Sequence, residues 1–159
     1  MPASAPTIVA TSMGSFASRG RGPYDWKPAP VFDLMTELAG APDRPRLCYL
    51  GTATGDDPVR LGGVYSAFAG TRVQVSHLSL FTMPTVEDMR AHLLEQDLVW
   101  VGGGSVANLL AVWRVHGLDD RGTDLVDVVA DRDDAAAYRV ERGPDGTVTE
   151  TRLEPRRLD

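Results

Sequence analysis

The chain has 159 residues and a mass of 17.2 kDa, enough for one hydrophobic core and too little for a large multidomain enzyme. With 43% hydrophobic and 24% charged residues it has the composition of a soluble globular protein, and no apolar run is long enough to span a membrane. A formal charge of -6 and a pI near 5.0, without a long basic run, argue against a nucleic-acid-binding surface.

The opening MPASAPTIVATSMG carries no basic residue before its first apolar stretch, which argues against a secretory signal peptide. A single cysteine, Cys48, rules out an internal disulfide and reads as a small buried hydrophobe in the run LCYL. A cytoplasmic location is expected.

TIVATS (7–12) reads as a first strand, followed by a Gly/Arg-rich loop over 14–25. Pro28 to Ala39 has helical periodicity, with Val31, Leu34, Met35 and Leu38 on one face and Gly40 placed to end it. RLCYLGTA (46–53) is a second strand. The segment from Asp57 to Ala69 is a second helix, with Asp57 as cap, Pro58 at its first position and Leu61, Val64, Tyr65 and Phe68 facing a sheet. Gly62 and Gly63 weaken that helix, and close packing is their simplest explanation.

VQVSHLSLF (73–81) is a third strand. Thr85 with Asp88 resembles a capping box opening a helix whose face is Val86, Met89, Leu93 and Leu94. LVWV (98–101) is a fourth strand, and Gly102, Gly103 and Gly104 turn it into a helix capped by Ser105, with Val106, Leu109, Leu110 and Trp113 inward and a stop at His116-Gly117. Near-continuous apolar strands alternating with helices predict an α/β fold, a parallel sheet of 7–12, 46–51, 73–80 and 98–101 with helices on both faces.

Beyond residue 118 the periodicity changes. Residues 1–118 hold ten acidic and nine basic residues, whereas 119–159 hold twelve and seven, so most of the net charge lies in the last quarter. The runs at 124–131, 135–142 and 147–154 are β-like, with GPDG (143–146) as a hairpin turn, and predict a C-terminal antiparallel β meander. The organisation expected is a partial α/β domain over 1–118 and a β segment over 119–159 belonging to the same domain.

Few residues could carry chemistry. Of the three histidines, His92 reads as exposed on its helix, His116 as a charge near a helix C-terminus, and His77, in a strand, as the one with a functional alternative. No HExxH, paired cysteine or histidine cluster supports a metal site. Ser105 lacks the second glycine of a GxSxG nucleophile elbow and reads as a helix cap. Glu87 and Asp88 suit the start of a helix by charge alone, and Arg19 and Arg21 lie in a loop with neither a dinucleotide nor a P-loop pattern. The three-glycine turn is the most function-like feature, because such a turn presents backbone amides to a negative oxygen.

Four stretches, IVATSMG, RPRLCYLGTATGD, HLSLFTMPTVEDMRAHLLEQDLVWVGGGSVANLLAVWRVHGLDD, and RGTDLVDVVAD with AYRVERGPDGTVTETRLEPR, together resemble peptidase E, the aspartyl dipeptidase family of serine peptidases. The resemblance implies a class I glutamine-amidotransferase-like fold, no cofactor, and hydrolysis of short peptides with an N-terminal aspartate. It gives Gly102, Gly103 and Gly104 the role of substrate-binding oxyanion-hole residues. The family continues from this helix into a strand ending in a G-x-S-A-G elbow, which supplies the nucleophile, and then to a catalytic histidine; this sequence has neither. A long stretch is expected to be missing between Asp120 and Arg121, leaving a truncated sheet, no catalytic residue and a defective hydrolase. The alternative is a non-catalytic module binding a small molecule or protein. Expected partners are short peptides and further copies of the chain, not nucleic acid or membranes.

Overall fold

The structure is a computed structural model that describes residues 7–11, 16–20, 22, 24–118, 129–130 and 137–157. The chain divides into two compact units, Met1–Arg121 and Gly122–Asp159.

In the first unit, β1 (Phe16–Ser18) and β2 (Trp26–Pro28) form an antiparallel pair with Phe16 opposite Pro28. After α1 (Val31–Leu38) comes β3 (Arg46–Leu50), a 3-10 turn at Thr52–Thr54, α2 (Pro58–Phe68), β4 (Gln74–His77), α3 (Met89–Leu94), β5 (Leu98–Val101) and α4 (Val106–His116). The sheet order is β4-β3-β5, with both pairings parallel.

Side-chain alternation along β3 divides the core between the two faces of this sheet. Leu47 and Tyr49 point with Leu98 and Trp100 toward α1 and α2, where Phe32, Met35, Val64, Ala67 and Phe68 complete one cluster. Cys48 and Leu50 point the other way, joining Leu78 and Leu80 beneath Met89 and Leu93 of α3 and Val112 and Trp113 of α4. The parallel sheet with helices on both faces is therefore present. Cys48 is 0% exposed, and burial pushes its thiol pKa up.

Aromatic packing makes the first cluster specific. Phe32 lies 4.9 Å from Trp100, 5.1 Å edge-on from Phe68 and 5.2 Å from Phe16, between ring centroids. Phe16 also stacks on Trp26 at 5.1 Å, which pins the β1–β2 pair to the core. Trp26 accounts for Gly63 too, since a β-carbon there would approach its ring to 3.0 Å; at Gly62 the space is open.

Several elements depart from expectation. Residues 7–11 form no strand, and Ile8 is 61% exposed while only Val9 packs on the core: two large apolar residues give too little for burial on both faces. The Gly/Arg loop instead contains β1, and Pro28 belongs to β2, so α1 starts later. Asp88 itself caps α3 by accepting from the Ala91 amide at 2.8 Å, while Thr85 Oγ1 accepts from the Ser79 amide, so the helix opens a turn later than the capping-box pattern implies. In α4, Val106 and Leu110 are exposed and the inward face is Leu109, Val112 and Trp113. His92 is half-buried rather than exposed, whereas Tyr65, though 40% exposed, faces the sheet as expected, its ring edge-on to His77 of β4.

Asp97, just before β5, accepts from the Arg46 amide at 2.8 Å and ion-pairs with its guanidinium at 3.4 Å, bracing the starts of β5 and β3. The Arg46 amide bond is the main cause holding its carboxyl below the usual range, with the Arg46 side chain adding to it against partial burial. A depressed folded pKa gives stability that is present above the unfolded value, about 3.9, and is lost as pH falls through the folded one. Asp97→Asn should therefore weaken the wild-type fold near neutrality and flatten its loss of stability below about pH 4 in urea titrations.

In the second unit, β7 (Ala137–Arg142) and β8 (Val148–Leu153) form an antiparallel hairpin. Its turn is closed by the Gly143 amide on Thr147 O at 2.8 Å and by Asp145, whose carboxylate accepts from the Thr147 amide and hydroxyl at 2.9 and 2.6 Å. The expected meander is not completed. β6 (Val129–Ala130) pairs in parallel with β9 (Arg156–Arg157), an arrangement possible because the intervening hairpin serves as the crossover that a parallel pair requires.

Candidate functional site

Three segments meet at the carboxyl ends of the parallel strands: Gly51–Asp57 after β3, the loop after β4, and the glycine turn after β5. In parallel α/β sheets this edge is where helix N-termini and loops present groups to ligands. The first segment holds the other two. Its Ala53 carbonyl accepts from the Ser105 amide at 2.8 Å, and Asp56 Oδ2 accepts from the amides of Leu80 and Phe81 at 2.6 and 2.9 Å. Thr52 Oγ1 also accepts from Trp113 Nε1 at 3.4 Å, tying α4 to the same loop.

The three glycines are not equivalent. Gly102 is buried and its amide continues the sheet by donating to Leu50 O at 2.9 Å; a β-carbon there would strike the Tyr49 phenol, including its Cζ at 2.9 Å. At Gly104 a β-carbon would meet the Ala53 carbonyl oxygen at 2.5 Å, so glycine is required by close backbone approach. Gly103 is open on its side-chain face. Among the described residues the amides of Gly103 and Gly104 have no acceptor, which leaves them able to bind a ligand oxygen.

Ser105 performs the capping role that its position suggests. Its Oγ accepts from the Asn108 amide at 3.3 Å, and Gly117 closes the other end of α4 in a left-handed conformation. Ser105→Ala should cost about 1 kcal/mol in a denaturation curve, the usual loss of a serine cap. No serine hydroxyl is hydrogen-bonded to a histidine among the described residues.

The remaining candidates are dispersed. His77 Nδ1 pairs with the Tyr65 hydroxyl at 3.0 Å, and His116 ends α4. Asp88 is engaged as a cap and Glu87 is exposed beside it. Arg19 lies 3.9 Å from Asp25 and donates to Ala67 O at 3.4 Å, a structural brace; Arg21 and the Asp120–Arg121 junction lie outside the described residues. Among the described residues no group of three or more His, Cys, Asp or Glu side chains could hold a metal ion.

The residues that sequence reasoning passes over are Tyr49 and Asp56. Tyr49 is 5% exposed and its hydroxyl has no hydrogen-bond partner among the described residues. Asp56 has φ +56, and its Oδ1 is buried without a partner. Both line a cavity of about 10 Å³ with Gly51, Asp57, His77 and Ser79. The only local hint was the turn chemistry of TGDDP before α2.

A parallel α/β sheet whose carboxyl edge carries unengaged backbone amides at a helix start is the class of α/β architecture seen here, with that edge open to a ligand oxygen. Residues 16–127 match Peptidase family S51, the peptidase E family, and the chain belongs to it. It is also 42% identical over 77 residues to the uncharacterized peptidase YgaJ of Bacillus subtilis (strain 168), a match covering 48% of this chain and 33% of that protein. The chain thus matches about a third of the length of this curated relative. No solved structure gives a significant match. No described helix is long and apolar enough to cross a membrane.

Proposed function

We propose that this S51 chain binds short peptides at the carboxyl edge of its sheet without hydrolysing them, the amides of Gly103 and Gly104 receiving a peptide carbonyl or carboxylate oxygen. The observation that carries the reading is the contrast within one turn: two amides left without acceptors, next to a serine whose hydroxyl accepts from its own helix. An oxyanion site alone leaves acyl transfer far short of a complete enzyme, because nucleophile and base act as a unit. Peptides beginning with aspartate are the proposed ligands, and the retained half-site is that of a defective peptidase.

The test is a pair of measurements on the purified chain. Incubation with aspartyl-alanine should release no free aspartate by chromatography, while NMR titration should shift the Gly103 and Gly104 amide signals saturably. Hydrolysis that is lost in folded Ser105→Ala would overturn the non-hydrolytic reading, and glycine signals that stay fixed would overturn the binding reading.

A further inference from the structure

We propose that the cavity beside Asp56 receives a primary ammonium group, the α-amino end of a short peptide whose next carbonyl faces the glycine turn. The identity of the ligand as a peptide rests on the binding function proposed above; the ammonium site itself does not.

The first ground is an unmet bond. Asp56 Oδ2 already accepts two amides, those of Leu80 and Phe81, whereas Oδ1 is buried and partnerless beside Gly51, and both Asp56 and Gly51 line the cavity. A buried acceptor left unsatisfied is costly and points to a missing donor. The second ground is Tyr49, nine-tenths buried, lining the same cavity with a hydroxyl that no described residue engages. Its ring is also the surface against which Gly102 packs, so one side chain is wall to both the cavity and the glycine turn.

Size and charge select the ligand. A cavity of about 10 Å³ admits a single water-sized group, and an ammonium has that size with three donors and no acceptor. The charges bearing on Tyr49 are Arg60, the largest, opposed by Asp56 and Asp57, the two carboxylates that line the cavity. Burial is the main cause raising the Tyr49 pKa, so at neutral pH its hydroxyl stays protonated and its oxygen can accept from an ammonium. His77 completes the wall, with its Nδ1 engaged by Tyr65.

A purely structural role would be served better by asparagine. Asp56 sits in the left-handed region, which asparagine tolerates well, and an asparagine oxygen could accept the same two amides while its NH2 faced the cavity. The carboxylate adds only a negative charge where the fold leaves it unpaired, and that is the property an ammonium would use.

The experiment follows the amide signals of Leu80 and Phe81, which donate to Asp56, and of Gly103 and Gly104. Methylammonium should shift Leu80 and Phe81 saturably, and aspartyl-alanine should shift all four. N-acetyl-aspartyl-alanine should bind about tenfold more weakly and leave Leu80 and Phe81 unmoved, the loss expected for a charge-assisted bond. Asp56→Asn should fold, lose the methylammonium response and bind aspartyl-alanine no better than the acetylated peptide. Equal affinities for the free and acetylated peptides, or no methylammonium response in the wild type, would overturn the inference and leave an ordered water only in the cavity. If methylammonium binds while neither peptide moves Gly103 or Gly104, the ammonium site stands and the peptide-binding function fails.

Discussion

Replacing Phe32 with alanine is expected to remove about 3–5 kcal/mol of stability, the range for deleting a buried aromatic side chain. Phe32 is 4% exposed and touches three other rings, Phe16, Phe68 and Trp100, which come from β1, α2 and β5. Its loss therefore leaves a cavity that no single neighbour can collapse into, because those rings are anchored on different elements. Against a typical net stability of about 5–15 kcal/mol, the variant should sit near the edge of folding. Urea denaturation followed by tryptophan fluorescence measures this directly; a loss below about 1 kcal/mol would mean that the ring cluster does not hold the first unit together.

Gly104→Ala is expected to damage the site as well as the fold. The added methyl would lie 2.5 Å from the Ala53 oxygen and 2.8 Å from its carbonyl carbon, and backbone atoms cannot rotate aside as a flexible side chain would. Relief requires the glycine turn or the Gly51–Asp57 loop to move, with a cost of about 1–3 kcal/mol for overpacking. Movement would lengthen the bond from the Ser105 amide to Ala53 O and displace the unengaged amides beside it. Peptide-induced shifts of the position-103 amide should vanish in Gly104→Ala but persist in Gly103→Ala, whose β-carbon enters open space. Equal binding by the two variants would contradict the close-approach argument.

What could be read from the sequence was what local physics decides. The Asp57 and Ser105 caps, the left-handed Gly117 end of α4 and the apolar strands around Cys48 and Trp100 all follow from neighbours within a few residues. Errors arose where distant contacts decide. TIVATS has the local pattern of a strand, but β4 and β5 flank β3 and residues 7–11 join neither. β1 was hidden in a Gly/Arg-rich loop because its stabiliser is the stacking of Phe16 on Trp26 across the turn. The terminal hairpin was legible through GPDG, whereas the parallel pairing of β6 with β9 depends on residues far apart in the chain. At the site the glycine turn was visible; the partnerless oxygens of Asp56 and Tyr49 were not, since a sequence does not show which acceptors folding leaves unpaired.

The burial of Cys48 makes the chain its own reporter. It is the single thiol in 159 residues, sits in the middle strand of the parallel sheet and is fully enclosed, with its pKa raised by that enclosure. A thiol reagent can reach it only when the sheet opens, so the rate of modification in native buffer divided by the rate in denaturant gives the fraction of time the central strand is exposed. That clock needs no engineered label, and it would register whether a peptide or methylammonium, bound at the strand ends, slows the breathing of the sheet on which its site is built.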